Sequence, residues 1–471
     1  MLYRRQFLIA RAPHLPDATW TSFPLTGGLV LSHSDALPVS RWPADGPAEA
    51  VLLGDAVTPD GPVRLNGPVP PDMTEAAGRW CLIAEGRVRL DCWGGLGVFH
   101  MNGLAGSSAG QIAGIAGDRL GPPRGGLGWG GLDWYPPPGS RYPGLSKLCL
   151  GEALDLATFT PVPEDRDYRR PALPYPDTLD RIERLLVGTI ARAAETASTV
   201  YVPLTSGYDS RFVLAAALRA GVRPVTFTQV HDRLDRADAD LPPRLARAAG
   251  VEHRWVPSGP VDPDRLALYD RHTGGHEGGA DRMFFARGQL DWIEDDALVL
   301  RGGGFGVGKA TGRGLPDWVP DHAAAIFPDG DPDLRRGIDD WLARRRDVPG
   351  LDWRDQLMID QRGGGWLSAV EQALDLTPGR YFTVANSLAY YTTTMTMPEA
   401  TRQAKRHHLD LIARWAPELL RLPFAEAVDP VSVLRRRLRP LRRAWRAVRP
   451  APGGGRSRPA RPTGGRSPGA A

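Results

Sequence analysis

Tyr201-Val202-Pro203-Leu204-Thr205-Ser206-Gly207-Tyr208-Asp209-Ser210-Arg211 runs directly into Phe212-Val213-Leu214-Ala215-Ala216-Ala217-Leu218. The opening residues have strand composition, and the Ala/Leu-rich segment is a strong helix former that ends near Gly221. Between them lies a turn of small and hydroxyl residues with one carboxylate. A strand that passes through such a turn into a helix leaves unpaired N–H groups at the positive end of that helix, which favours anions. Gly207 lets a phosphate approach the backbone, Thr205, Ser206 and Ser210 carry hydroxyl donors, and Asp209 can hold a hard cation against phosphate. Ser and Asp also cap helices in ordinary proteins. The density of such groups within six positions, with Arg211 beside them, favours the anion site.

The neighbouring segments extend the pattern. Pro224–Gln229 reads as a second strand, Leu241–Ala249 as a helix closed by Gly250 with Pro242 in its first turn, and 252–256 as a third strand. Leu179–Ala197 has helical spacing of apolar positions ahead of the first strand. Strands alternating with helices at this interval predict a parallel sheet with helices on both faces, with ligands at the carboxyl ends of the strands. A further strand, Ala297–Arg301, enters Gly302-Gly303-Gly304-Phe305-Gly306-Val307-Gly308-Lys309 at that same edge.

Thr205-Ser206-Gly207-Tyr208-Asp209-Ser210 resembles the Ser-Gly-Gly-x-Asp-Ser loop of the ATP pyrophosphatase domain in the asparagine synthetase-like family, with Thr for the first hydroxyl and Ser for the first Gly. Asp238–His253 resembles the segment that follows it in that family. The resemblance implies an adenine-nucleotide hydrolase-like fold and a ligase that adenylates a carboxylate with ATP and Mg²⁺ and passes it to an amine. On the family pattern Leu204, Thr228 and Gln229 border the adenine, the loop from Thr205 to Ser210 takes the phosphates together with Arg301 and Gly302, Asp209 holds the metal, and Asp209 and Lys309 are the catalytic candidates. The family's second loop, Ser-Gly-x-Gly-Gly-Asp-Glu, carries two acids where this chain has Gly306 and Val307, so magnesium would lean on Asp209 and the phosphates.

Residues 1–165 read as mostly β, with short apolar runs between Gly, Pro, Asn and Asp turns. Segments 78–84, 88–93 and 97–101 look like consecutive antiparallel strands. Their order is similar to the amidotransferase domain that precedes the ATP domain in the same family. Glutamine-hydrolysing members place a Cys nucleophile directly after the initiator Met, since a thiolate attacks the amide. Here Leu2 occupies that place and the first Cys is Cys81. The domain is therefore expected to be degenerate, and the amine to be free ammonia or an amino group of the second substrate. Two readings stay open: an active ligase without its own glutaminase, and a nucleotide-binding pseudoenzyme of the same fold.

Three other features were weighed. Gly303-x4-Gly308-Lys309-Ala310 approaches a Walker A loop, but Ala310 lacks the hydroxyl for magnesium and Gly312, Gly314 and Pro316 oppose the helix such a loop opens. His272, His276 and Glu277 invite a metal site, yet the surrounding glycines make the segment a loop, better placed beside the active site than around a metal. From Trp353 to Phe424 the chain reads as largely helical, with Arg362, Trp366, Arg402 and Lys405 as helix-surface groups or as the basic residue that neutralises pyrophosphate in the family.

Composition bounds the rest. The 471 residues, 42% hydrophobic and 24% charged, suit a globular protein of two or three domains. Three scattered cysteines form neither a disulfide framework nor a zinc site. The formal charge is +4, but residues 431–471 hold twelve Arg and no acid, which leaves 1–430 at −8. The basicity belongs to the tail and not to a nucleic-acid-binding face. Leu434, Leu438, Leu441, Trp445 and Val448 give that tail an amphipathic pattern broken by Pro440, a surface for an acidic partner or anionic membrane. Arg4-Arg5-Gln6-Phe7-Leu8 superficially resembles an export signal, but Arg11 and Pro13 leave no apolar core segment. The expected location is cytoplasmic, with domains at 1–165, 166–430 and a tail at 431–471.

Overall fold

The structure, a computed structural model, describes residues 2–125, 134–164, 168–231, 234–276, 281–314, 332–345 and 348–425. The basic tail and Glu277 lie outside the described residues.

The amino-terminal part contains two antiparallel sheets. In one, the strand order is Ser146–Lys147, Phe99–Met101, Leu104–Gly106, Phe7–Ala10, Val30–Ser34 and Trp20–Pro24. In the other it is Thr160–Pro163, Glu152–Asp155, Arg87–Leu90, Ala77–Ala84, Ala50–Thr58 and Val39–Trp42, with Gly61–Pro62 added on Ala50–Thr58. Ala77–Ala84 and Arg87–Leu90 pair as expected, but Phe99–Met101 belongs to the first sheet, not the second. The break lies at Asp91, whose carboxylate accepts N–H bonds from Trp80, Trp93 and Gly95 and turns the chain out of the ladder.

The second part is a five-stranded parallel sheet: β1 Val200–Pro203, β2 Val225–Gln229, β3 His253–Val256, β4 Leu298–Arg301 and β5 Arg380–Thr383, in the order β3-β2-β1-β4-β5. The helices that matter for the site are α1 Tyr175–Ala194, α2 Tyr208–Arg219, α3 Arg236–Ala249, α4 Ser368–Leu374 and α5 Arg406–Trp415. Both faces of the sheet are covered. Val202, Leu298, Leu300 and Phe382 pack with residues of α1, α2, α3 and α5, while Tyr201, Phe227, Val299 and Tyr381 pack with Leu290, Ile293, Val370 and Leu374. The period-2 alternation along β1 and β4 divides these two cores. Each fully buried aliphatic side chain contributes roughly 1.5–3 kcal/mol relative to exposure. An α/β parallel sheet preceded by antiparallel β structure is thus what the sequence pattern predicted.

Several boundaries moved. α3 begins at Arg236, because Asp235 caps it by accepting the Asp238 N–H, so Pro242 and Pro243 fall inside the helix. Gly250 closes it at φ +65°. His272 ends a helix, Pro263–Thr273, where a loop was expected. The carboxy-terminal region is helical except for β5, a buried Tyr-Phe-Thr strand that the helical reading missed. Met358–Leu367 is a π-helix, a rare form that concentrates at functional sites.

The two parts share one core. Val51, Leu53, Cys81 and Ile83 join the same cluster as α1, and residues up to Val428 form one compact unit. Asp375 is buried and receives a bidentate Arg79 at 2.8 and 3.0 Å and the Gln6 amide at 2.8 Å. Among the described residues no helix is long and apolar enough to cross a membrane.

Candidate active site

In an open parallel sheet the binding crevice lies outside the carboxyl ends of strands where the strand order reverses. That reversal falls between β1 and β4, which pair directly. The loops leaving them meet: a Cβ on Gly302 would lie 3.5 Å from the Ser210 nitrogen and 3.7 Å from the Asp209 Cβ. A cavity of 440 Å³ opens here. One end is polar, bounded by Thr205, Asp209, Ser210, Arg301 and Lys309. The other is apolar and aromatic, bounded by Trp93, Met358, Trp366, Leu367 and Tyr391, with Arg362 beside them.

Most of the β1–α2 loop is braced internally. The Ser210 hydroxyl accepts the Thr205 N–H at 3.0 Å and meets the Thr205 hydroxyl at 2.9 Å. Ser206 donates both its N–H and its hydroxyl to Asp238 Oδ1 at 2.7 and 2.6 Å. Gly207 is the N-cap of α2 and Asp209 lies in the first turn, where its charge complements the helix dipole. Asp238, the start of the second segment of sequence likeness, therefore acts by fixing the loop. The loop is also held from behind. Arg211 is fully buried and donates to the carbonyls of Leu419, Leu422 and Pro423, and its guanidinium lies 3.9 Å over the Phe424 ring, which stacks on Tyr208.

Asp209 and Lys309 form the charged centre. The ammonium donates to both carboxylate oxygens at 2.7 and 2.6 Å. His408 Nε2 stands 3.7 Å from Asp209 Oδ1. Burial first, then neighbouring His407 and Lys309, push the His408 imidazole well below its ordinary pKa, so it faces Asp209 as a neutral ring. His407, 2.8 Å from His408 Nδ1, is lowered to about 3, chiefly by burial. Neither histidine was visible as a site residue in the sequence.

Of the residues singled out by sequence, Thr205, Asp209, Ser210, Arg301, Gly302 and Lys309 line the cavity. Leu204, Ser206, Gly207, Thr228 and Gln229 are not among its lining residues. Leu204 is buried, with its carbonyl accepting the Thr228 hydroxyl at 2.6 Å, and these two belong to the β1–β2 side of the crevice. Arg362 and Trp366 do line the cavity, with the guanidinium 4.7 Å over the Trp366 ring. Arg402 is not a helix-surface charge: it is buried, pairs with Asp355 at 2.9 Å and donates to the Val307 carbonyl. Lys405 sits over the Tyr208 ring at 4.0 Å.

Two alternatives weighed on the sequence take other forms. Lys309 is followed by Ala310 at φ +50° and a short 3₁₀ turn, Thr311–Gly314, so it opens no helix of the Walker kind. His272 accepts the Tyr3 N–H through Nδ1, and His276 Nε2 accepts the Arg141 N–H; neither lines the cavity. No cluster of three metal-ligating side chains occurs among the described residues.

A single divalent ion needs less. Mg²⁺ is commonly bound by one or two carboxylates with phosphate oxygens and water completing its shell. Asp209 fits that minimal requirement as one ligand, sharing its charge with Lys309, while Gly306 and Val307 supply none.

No protein-family model and no curated protein matches this sequence. Among solved structures the chain is similar to the NMN synthetase from Francisella tularensis, at 13% identity over 43% of this chain and 92% of that one, with a TM-score of 0.21. A likeness that loose carries no argument about chemistry. The fold stands on its own strand order and burial.

Proposed function

We propose that the protein is an ATP-dependent ligase that activates a carboxylate as its adenylate and transfers the acyl group to an amine, without producing ammonia from glutamine. The observation that carries this reading is the meeting of the β1–α2 and β4 loops at the switch point, with a helix amino terminus, Asp209 and Lys309 around one cavity. Fold alone does not imply activity, so the weight rests on that site.

In the proposed chemistry a carboxylate oxygen attacks the α-phosphorus of ATP. The bond between the α-phosphorus and the bridging oxygen breaks, and pyrophosphate leaves with the electron pair. The amine nitrogen then attacks the acyl carbon, AMP departs, and the amine proton passes to solvent. Negative charge grows on the leaving pyrophosphate. Preorganised donors aimed at that charge are the effective catalysts. In this reading the first-turn N–H groups of α2, the Thr205 hydroxyl and the Lys309 ammonium would supply them. Magnesium, held at Asp209, would neutralise further phosphate charge.

The rival is a nucleotide-binding pseudoenzyme. It is favoured by the absence of carboxylates at Gly306 and Val307, and by the engagement of both Asp209 oxygens with Lys309. Incubation with ATP, magnesium and a panel of carboxylates and amines separates the two. AMP and pyrophosphate in equal amounts, dependent on a carboxylate, support the ligase. ATP bound stoichiometrically without AMP under every acid refutes it.

A further inference from the structure

The ligase reading leaves the acid unnamed, and the aromatic end of the cavity bears on its identity. Trp93 comes from the amino-terminal part, yet its ring is inserted between the β4 loop and the π-helix. Glycines make the room. A Cβ on Gly304 would lie 1.8 Å from Trp93 Cζ2, and one on Gly363 would lie 3.2 Å from Trp93 Cγ. Gly304 is also at φ +90°, a conformation that only glycine adopts readily. The Trp93 backbone N–H donates to Asp91 at 2.8 Å, and the indole ring stacks on Tyr391 at 6.3 Å. The Tyr391 hydroxyl donates to the Gly304 carbonyl at 3.2 Å, which closes the assembly.

Met358, Trp366 and Leu367 complete this end of the cavity. None of these groups can solvate a second carboxylate or an α-ammonium, and burying an unpaired charge here is unfavourable. Three cations line the cavity. Lys309 is paired with Asp209, and the other two differ in setting. Arg301 stands where β4 meets the phosphate loop and is oriented by Glu371 at 3.2 Å. Arg362 is exposed, with its guanidinium 4.7 Å from the centre of the Trp366 ring.

We infer that the acyl substrate is a monocarboxylic acid with an aromatic or bulky apolar body, its carboxylate turned toward Arg301 and the phosphate loop and its body against Trp93, Met358 and Trp366. The amino-terminal part, without a nucleophile at position 2, then serves the reaction by supplying the Trp93 wall that sets specificity. This rests on the ligase reading for the activation step, but the pocket's preference can be read independently of turnover.

The test measures exchange of radiolabelled pyrophosphate into ATP with aryl-alkanoic, branched aliphatic and amino dicarboxylic acids. In parallel, Trp fluorescence is titrated with the same acids in the presence of a non-hydrolysable ATP analogue. The expected result is exchange at least ~10-fold more efficient with the apolar acids than with aspartate, the scale on which apolar pockets discriminate. Trp93→Ala should raise the KM for the acid ~10-fold while the KM for ATP stays within about twofold; a merely structural role would raise both. Should that variant fail to fold, Met358→Glu places a carboxylate in the apolar end and should abolish exchange with the apolar acids. Preferred exchange with aspartate overturns the inference and leaves the ligase standing. Saturable quenching by apolar acids without exchange keeps the pocket assignment and overturns the ligase. With neither exchange nor quenching, both fall.

Discussion

Lys147 offers a stringent test of how the two parts of the molecule are joined. It lies in the edge strand Ser146–Lys147, is buried, and extends its ammonium across the interface to the Gly364 carbonyl of the π-helix and to the Ser368 hydroxyl at 3.0 Å. No ion pair accompanies it among the described residues. Burial lowers its pKa from 10.5 to about 7. At about 1.4 kcal/mol per tenfold in proton affinity, that displacement corresponds to roughly 5 kcal/mol. The sign follows from proton counting. Between pH 7 and 10.5 the unfolded chain holds this proton and the folded chain has largely released it, so stability rises with pH across that window. Below pH 7 both states are protonated and the full penalty is present. Most of it is relieved between pH 7 and pH 10.

Lys147→Met keeps the length and removes the titration. The variant leaves the Gly364 carbonyl without its donor, an offset of roughly 1–3 kcal/mol that does not depend on pH. The readout is therefore the difference between wild type and variant in urea unfolding free energy, followed from pH 7 to pH 10. Wild type should gain stability on the variant over that range, on the order of 3 kcal/mol, because groups common to both proteins cancel. Parallel pH profiles would refute the reasoning, since they would mean that Lys147 titrates alike in the folded and unfolded chains.

Three other outcomes are expected. Asp375→Ala strands the buried Arg79 guanidinium and should destabilise the protein by roughly 3–5 kcal/mol in denaturant titration, with Asp375→Asn losing less because it keeps an acceptor. Gly304→Ala combines an unfavourable φ with a contact against the Trp93 ring, and should lower stability on the order of 3 kcal/mol while red-shifting Trp emission as the indole is displaced. Lys309→Ala removes the cation at the phosphate end and should reduce carboxylate-dependent pyrophosphate release ~100-fold or more; an unchanged rate would remove Lys309 from the chemistry.

The parallel sheet was legible because its signals are local. Val200–Pro203 and the Ala-rich helix after it announce their types within a few residues, and Gly250 marks a helix end by chemistry that acts one turn away, whereas the Asp235 cap, set ahead of the apolar run, was passed over. That Thr205, Asp209 and Ser210 line one cavity was legible for the same reason, since a single turn brings them together. β5 was missed because four residues, Arg380–Thr383, give no periodicity; their strand form comes from pairing with β4. The aromatic end was missed for a related reason. Trp93, Gly304, Gly363 and Tyr391 are far apart in sequence, and what unites them is a volume constraint that appears only when two separately folding patterns press together.

That distinction says something about how the molecule divides its tasks. The groups around Asp209 and Lys309 are all carried by the parallel sheet and the helices packed on it, so that end of the cavity takes no side chain from the amino-terminal part. The apolar end has no such independence. Trp93 fills the space between the β4 loop and the π-helix, where the glycines that admit the indole have no side chains of their own. The amino-terminal sheets are thus coupled to the site: through Arg79 on Asp375 they fix the position of the segment following α4, and through Trp93 they form a wall of the cavity.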